Sequence, residues 1–156
     1  MKKNKKKKAL TGYDLAKLTV IADIPTTPPP FGFTSPFKTI QEWLFHLCDT
    51  NLPEKAISVY YFSLIERPLN NLLSLEGFNK YNINDNVAAN RIDFIPAMHM
   101  FFALPQEEFG DLSQQQMREQ VLNELIEFTK SFKFQTSFLS KGNSIRTNFG
   151  GEIWSR

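Results

Sequence analysis

The chain is poor in the residues that most often carry chemistry. It has one cysteine, Cys48, and two histidines, His46 and His99, among 156 residues. A single thiol excludes an internal disulfide and any zinc site built from several cysteines, and it suits a reducing compartment. No Walker or G-x-G-x-x-G sequence is present, so no phosphate loop of either kind is encoded. No serine stands in a G-x-S-x-G elbow. No run reaches the roughly 18 apolar residues of a membrane span. After the N-terminal lysines, ALTGYDLAKLTVIADIP is broken by Asp14, Lys17 and Asp23, so it lacks the apolar centre of a signal peptide. The expectation is a cytoplasmic protein that is not an enzyme and needs neither cofactor nor metal.

What the chain does have is bulk for a core. Its length suits one domain, and 42% hydrophobic residues with 15 phenylalanines let ordinary burial stabilise it without cross-links. The net charge of +2 conceals a division. Lys2, Lys3, Lys5, Lys6, Lys7 and Lys8 supply six of the 18 basic residues, leaving twelve against 16 acidic ones in the body. A folded nucleic-acid binder carries its basic excess on the body, because phosphate neutralisation supplies much of the affinity. This body is acidic, so nucleic acid is not the expected partner. The tail itself reads as a solubilising end, with a membrane-surface or targeting patch as the sharper alternative.

Three regions follow: a Lys-rich tail over 1–8, a short helix and Pro-rich connector over 9–36, and one α+β domain over 37–156. Thr11 caps a helix to Ala22 with Leu15 and Leu18 on one face. Pro25, Pro28, Pro29, Pro30 and Pro36 make the connector extended, pinned by Phe31 and Phe33 or offered as a Pro-rich ligand. Lys38 to Asp49 is helical, with Ile40, Trp43, Leu44, Leu47 and Cys48 on one face. Ala56 to Glu66 is a strand apolar on both faces and hence central, and LLSLEGF returns antiparallel to it after the turn at Arg67–Asn71. The polar loop NKYNINDNVAAN suits turns and contacts alike.

Ile92, Phe94, Met98, Met100, Phe102 and Leu104 then form the apolar row of a half-buried strand interrupted at Pro96. Its methionines read as core packing. Ser113 with Gln116 opens a capped helix whose stripe is Met117, Val121, Leu125, Phe128 and Phe132, widened by Leu122 and Ile126. FQTSFL reads as a strand, and SIRTNF-GG-EIWS as a hairpin turning at Gly150-Gly151. The fold class is α+β: a mainly antiparallel sheet with two N-terminal helices and one long amphipathic helix packed on it.

Few constellations carry chemistry. His46 and Cys48 are two apart on a helix, so their side chains point about 200° apart and cannot pair. Asp93 and His99 meet only if the chain bends at Pro96. Glu107, Glu108 and Asp111 cluster before a helix N-terminus, where the helix dipole favours them and where paired carboxylates can also do acid–base work. Across 107–127, Glu119, Glu124 and Glu127 join them against Arg118 alone. That is a solvated face, or a negative patch poised for a basic partner.

The arrangement RIDFIP…MFFALPQEEFGDLS, NELIEFTKSFKFQTSFL and a closing hairpin ending in EIWS resembles small bacterial immunity proteins of polymorphic-toxin and type VI secretion clusters. The resemblance runs from FKTIQEWLFHLCD to the C-terminus and brings no residue-level motif with it. It implies a cytoplasmic protein that binds and neutralises one cognate toxin. The acidic residues Glu107, Glu108, Asp111, Glu119, Glu124 and Glu127 are the candidate contacts. The alternatives are a structural or assembly component of a phage-like or secretion apparatus, docking by a strand edge, and a small enzyme with an unrecognised site.

Overall fold

The computed structural model describes residues 28–84 and 91–156. The expected helix at Thr11–Ala22 and the lysine tail lie outside the described residues. Helix α1 spans Ile40–Thr50, followed by strands β1 (Val59–Ile65), β2 (Leu72–Phe78) and β3 (Phe101–Ala103). Short helix α2 (Gln106–Phe109), long helix α3 (Gln114–Thr129) and short helix α4 (Phe132–Gln135) come next, then a 3-10 turn over Phe138–Lys141. Strands β4 (Ser144–Thr147) and β5 (Gly151–Ser155) close the chain.

Helices α1, α3 and α4 each start where a hydroxyl accepts from an orphan backbone N–H, whereas α2 follows Pro105 with no side-chain cap. Thr39 Oγ1 accepts from Glu42 N at 3.0 Å, which begins α1. Ser113 and Gln116 make the full capping box on α3, each side chain accepting from the other's backbone N–H. Met117, Val121, Leu125 and Phe128 are buried on the stripe the spacing predicts.

Phe132 is not on that stripe. The helix stops at Thr129, and Ser131 Oγ donates to Phe128 O while accepting from Phe134 N. One serine thus ends α3 and starts α4, breaking the helical phase. Phe134 turns inward to 1% exposure in place of Phe132, which is left 78% exposed.

The same chemistry corrects the strand expected at FQTSFL. Thr136 Oγ1 donates to Phe132 O, and Ser137 Oγ donates to Phe134 O while accepting from Leu139 N. Hydroxyls that satisfy nearby backbone groups favour tight helical turns over a ladder. The segment is therefore α4 and the 3-10 turn.

The strand order is β3-β2-β1-β4-β5. β1 is central, as its two apolar faces require. It pairs antiparallel with β2, placing Val59 opposite Phe78 and Ile65 opposite Leu72. It pairs parallel with β4, placing Val59 opposite Ser144 and Phe62 opposite Thr147. The sheet is thus mixed, with a parallel pair at its heart, and not mainly antiparallel. The reason is the lost strand: after β3 the chain returns through α3 and enters β4 running the same way as β1. Asn148 prolongs this pairing with its side chain, accepting from Leu64 N at 2.7 Å and donating to Leu64 O at 3.0 Å.

The main core lies between one sheet face and the helices. Trp43, Leu44 and Leu47 of α1 and Val121 and Leu125 of α3 meet Tyr60, Phe62, Leu73, Leu75, Phe102 and Ile145. Full burial of each such side chain contributes about 1.5–3 kcal/mol. The other face carries a smaller cluster of Val59, Tyr61 and Phe78, against which Tyr81 and Ile92 pack.

The strand expected over 92–104 is in two pieces, a bridge at Phe94 opposite Gly77 and β3 itself. Phe94, Phe102 and Leu104 of the expected row are in the core, but between them Met98 is 60% exposed and Met100 only half-buried, so the two methionines are not core packing. His99 takes a left-handed backbone with φ 57°, which breaks the period-2 alternation at that point.

Replacing the α3 cap, Ser113→Ala, removes an acceptor from the helix start and should cost about 1 kcal/mol. In a thermal melt this reads as a loss of about 2–4 °C. An unchanged melting point would show that the first turn of α3 frays freely in the native protein.

Candidate functional site

The six predicted carboxylates do not form one patch. Glu107 and Glu108 lie on the short helix α2 and not in a loop, and Asp111 follows in the turn before Ser113. Glu107 borders a cavity that Phe33, Phe37 and Lys38 also line, on the α1 N-terminal side. Glu119, on the outward face of α3, accepts from Gln115 Nε2 at 3.0 Å.

The other three come together. Gln120 Nε2 donates to Glu108 Oε2 at 2.6 Å and to Glu124 Oε2 at 3.4 Å, drawing two carboxylates to one amide. Glu124 and Glu127 lie one turn apart along the α3 flank that faces α1. With Gln41, Leu44, Phe45, Phe128 and Ser131 they line a groove of about 160 Å³ between the two helices. The rings of Phe45 and Phe128 are 6.3 Å apart at its wall. Phe132 follows Ser131 directly and is exposed.

Charge on this flank is only partly compensated. Glu127 pairs with Lys130 at 3.1 Å, both well exposed, and such pairs contribute little. Lys133 pairs with Asp49 and sits 5.7 Å over the Phe45 ring. Burial raises the Glu124 carboxyl above its ordinary range, and the neighbouring Glu108 carboxylate raises it further, against the Gln120 amide. The opposite flank of α3 is the reverse case. Arg118 grips Glu66 with two bonds, Nε to Oε2 at 2.5 Å and Nη2 to Oε1 at 2.8 Å. This holds Glu66 below the usual carboxylate range. Arg118, the one basic residue in the stretch 107–127, is therefore committed to the far side.

The cysteine and histidine pairings resolve differently from one another. Cys48 is buried, and burial pushes its thiol up to about 11 despite a hydrogen bond to Ser137. Asp93 accepts from Asn79 N and pairs with Arg91 at 3.7 Å, away from His99. His46 is no surface histidine. It is half-buried, with its ring centroid 5.1 Å from that of His99 and 4.8 Å from that of Phe37. Sequence reasoning missed this meeting of the chain's two histidines, because nothing local in the sequence places the segment after Pro96 against α1.

Among the described residues, no helix is long and apolar enough to cross a membrane. No group of three or more His, Cys, Asp or Glu side chains there is placed to hold a metal ion. No protein-family model matches the chain, and neither does any curated protein or solved structure.

Two measurements test these environments. A carboxyl whose folded pKa is raised gives stability that is complete below the unfolded value and lost as pH rises through the folded one. Wild type loses that contribution as pH rises, so Glu124→Gln should gain in melting point relative to wild type between acid and neutral pH and match it below about pH 4. A lower melting point at pH 7 would mean that the ionised carboxylate is stabilised. The Cys48 thiol should resist alkylation at pH 8 until the protein is unfolded, since only the thiolate is nucleophilic. Stoichiometric labelling of the native protein would overturn its burial.

Proposed function

We propose that this protein is an immunity-type binding protein that neutralises a cognate bacterial toxin, a basic protein, by holding it against the α1–α3 groove. The observation that carries the reading is Glu124, a half-buried carboxylate crowded by Glu108 at the lip of an aromatic-walled groove. A cation brought there relieves that repulsion, so the site gains from exactly the charge that a basic partner offers. Phe132 supplies the apolar anchor that interface centres favour, beside a charged rim. The acidic body steers such a partner on approach. The donors of a nucleophilic or metal-assisted reaction are not gathered on this surface, which favours recognition over catalysis.

The test is binding and growth rescue against the toxin encoded beside its gene. The wild-type chain should bind it and restore growth. Failure of both sinks the immunity reading. Glu108→Gln, Glu124→Gln and Glu127→Gln combined should weaken binding about tenfold or more and flatten its salt dependence, as lost charge contacts do. Phe132→Ala should speed dissociation, with a loss of about 1 kcal/mol or more. Undiminished affinity in both variants would place the toxin on another face.

A further inference from the structure

We propose that the second face of the sheet is a docking surface filled in cis by the N-terminal segment 9–27. That face is opposite the α1–α3 groove and plays no part in the toxin reading. The register puts Tyr61 opposite Glu76, Ser63 opposite Ser74 and Ile65 opposite Leu72, and then Leu72 opposite Ala103. Side chains alternate between the two faces of a strand, so these residues share the face of Val59, Tyr61 and Phe78. Leu72, Ser74 and Glu76 are 0%, 2% and 4% exposed there.

Strand neighbours alone do not bury a face so deeply. Side chains stand roughly perpendicular to a sheet, and their outer atoms meet water unless a second layer lies over them. The buried apolar side chains of every described helix belong to the main core, on the opposite face. Tyr81 and Ile92 pack on the second face at the Val59–Phe78 end. The layer over Leu72 and Ser74, toward the other end, comes from outside the described residues.

Where the chain enters the domain names the occupant. Arg67 Nη1 donates to Pro29 O at 2.5 Å, and Asn70 Nδ2 donates to Phe33 O at 3.0 Å. Both donors stand in the turn that leads from Ile65 to Leu72, so the N-terminal segment joins the sheet at that end. Residues 85–90 are instead bracketed by Tyr81 and Ile92 at the Phe78 end.

The pattern of the segment fits the place. Thr11, Leu15, Leu18, Thr19 and Ala22 fall at i, i+4, i+7, i+8 and i+11, one face of a helix. A helix over 11–22 is about 18 Å long, and β2 beneath it is about 20 Å. Residues 23–27 reach about 17 Å, enough to bring Ala22 over Leu72. Leu15 and Leu18 meet an apolar row, and the two threonine hydroxyls can donate to Glu76. A carboxylate at that depth is held by donors. The lysines of residues 2–8 then issue on the side of the sheet away from the α1–α3 groove, which leaves that groove open.

The experiment is alkylation at pH 8 of the full chain carrying Ser74→Cys, with Cys48 in the main core as the internal control. The introduced thiol should be protected as Cys48 is. Adding Leu15→Asp and Leu18→Asp should speed its labelling at least about tenfold, as local opening does, while Cys48 stays unlabelled. Lys17→Glu, on the far side of the helical face, should leave the rate unchanged. Free labelling with 9–27 unaltered, or protection that survives both aspartates, overturns the proposal. So does protection that is lost on dilution, which would place a second copy of the chain on this face. Labelling of Cys48 alongside would mean global unfolding, and the unsubstituted chain then decides. In its nuclear magnetic resonance spectrum the Leu15 and Leu18 methyls should show Overhauser contacts to those of Leu72, and their absence overturns the proposal.

Discussion

The indole of Trp43 is the contact on which the rest of the structure depends. It is fully buried, stacks on Phe102 with centroids 5.7 Å apart, and meets Phe62 edge-on at 6.2 Å. One side chain thus joins α1 to the central strand β1 and the edge strand β3. Its N–H also needs an acceptor, since an unpaired donor at that depth costs about 1–3 kcal/mol. The His99 carbonyl supplies it. The irregular segment after Pro96 is therefore held in register with a helix formed far earlier in the chain, and β3 is delivered to β2 as a consequence.

The second constraint is the break at Ser131. A helix continued through Phe132 would carry that ring into the core and leave Phe134 outside. Capping from both sides resets the phase, and the exchange of the two phenylalanines has opposite consequences. Phe134 packs edge-on to Phe128 and Trp154, at 5.5 and 5.0 Å, tying α4 to β5. Phe132 becomes surface at the end of the α1–α3 groove. The helical turns that follow also consume the residues expected to form a strand, and so β4 enters parallel to β1. A local hydroxyl chemistry decides both the sheet's polarity and the exposed aromatic.

The elements legible in sequence were those whose signal is local. The Ser113–Gln116 box, the strand LLSLEGF, the apolar face of α1 and the hairpin at Gly150-Gly151 all follow from patterns within a dozen residues. Gly151, with φ 69°, sits where only a residue without a Cβ turns easily. FQTSFL failed because its aromatic content suits a strand, whereas its serine and threonine bond their own backbone. The Met98–Met100 row failed because a left-handed residue interrupts the alternation that pattern reading assumes. The site was half legible. The carboxylates could be counted, but which of them converge depends on α2 packing beside α3 and on α1 packing across it, and the histidine contact is wholly tertiary.

The two flanks of α3 show why the convergence matters more than the count. Glu66 and Glu124 are both carboxylates at the edge of the same helix packing. Glu66 has its cation within the fold, and its ionised form is favoured. Glu124 has a second carboxylate for a neighbour and a single amide between them, and its ionised form is disfavoured. A protein that needed only solubility on that flank could have kept the two carboxylates apart, at little cost in water. Holding them together at a groove lined by Phe45 and Phe128 stores an unfavourable interaction that an external cation relieves and that water relieves only in part. The magnitude is that of one crowded carboxyl, small beside the stability of the whole domain. Its direction is what supports a basic partner on this face in preference to the flank where Arg118 has already answered the charge.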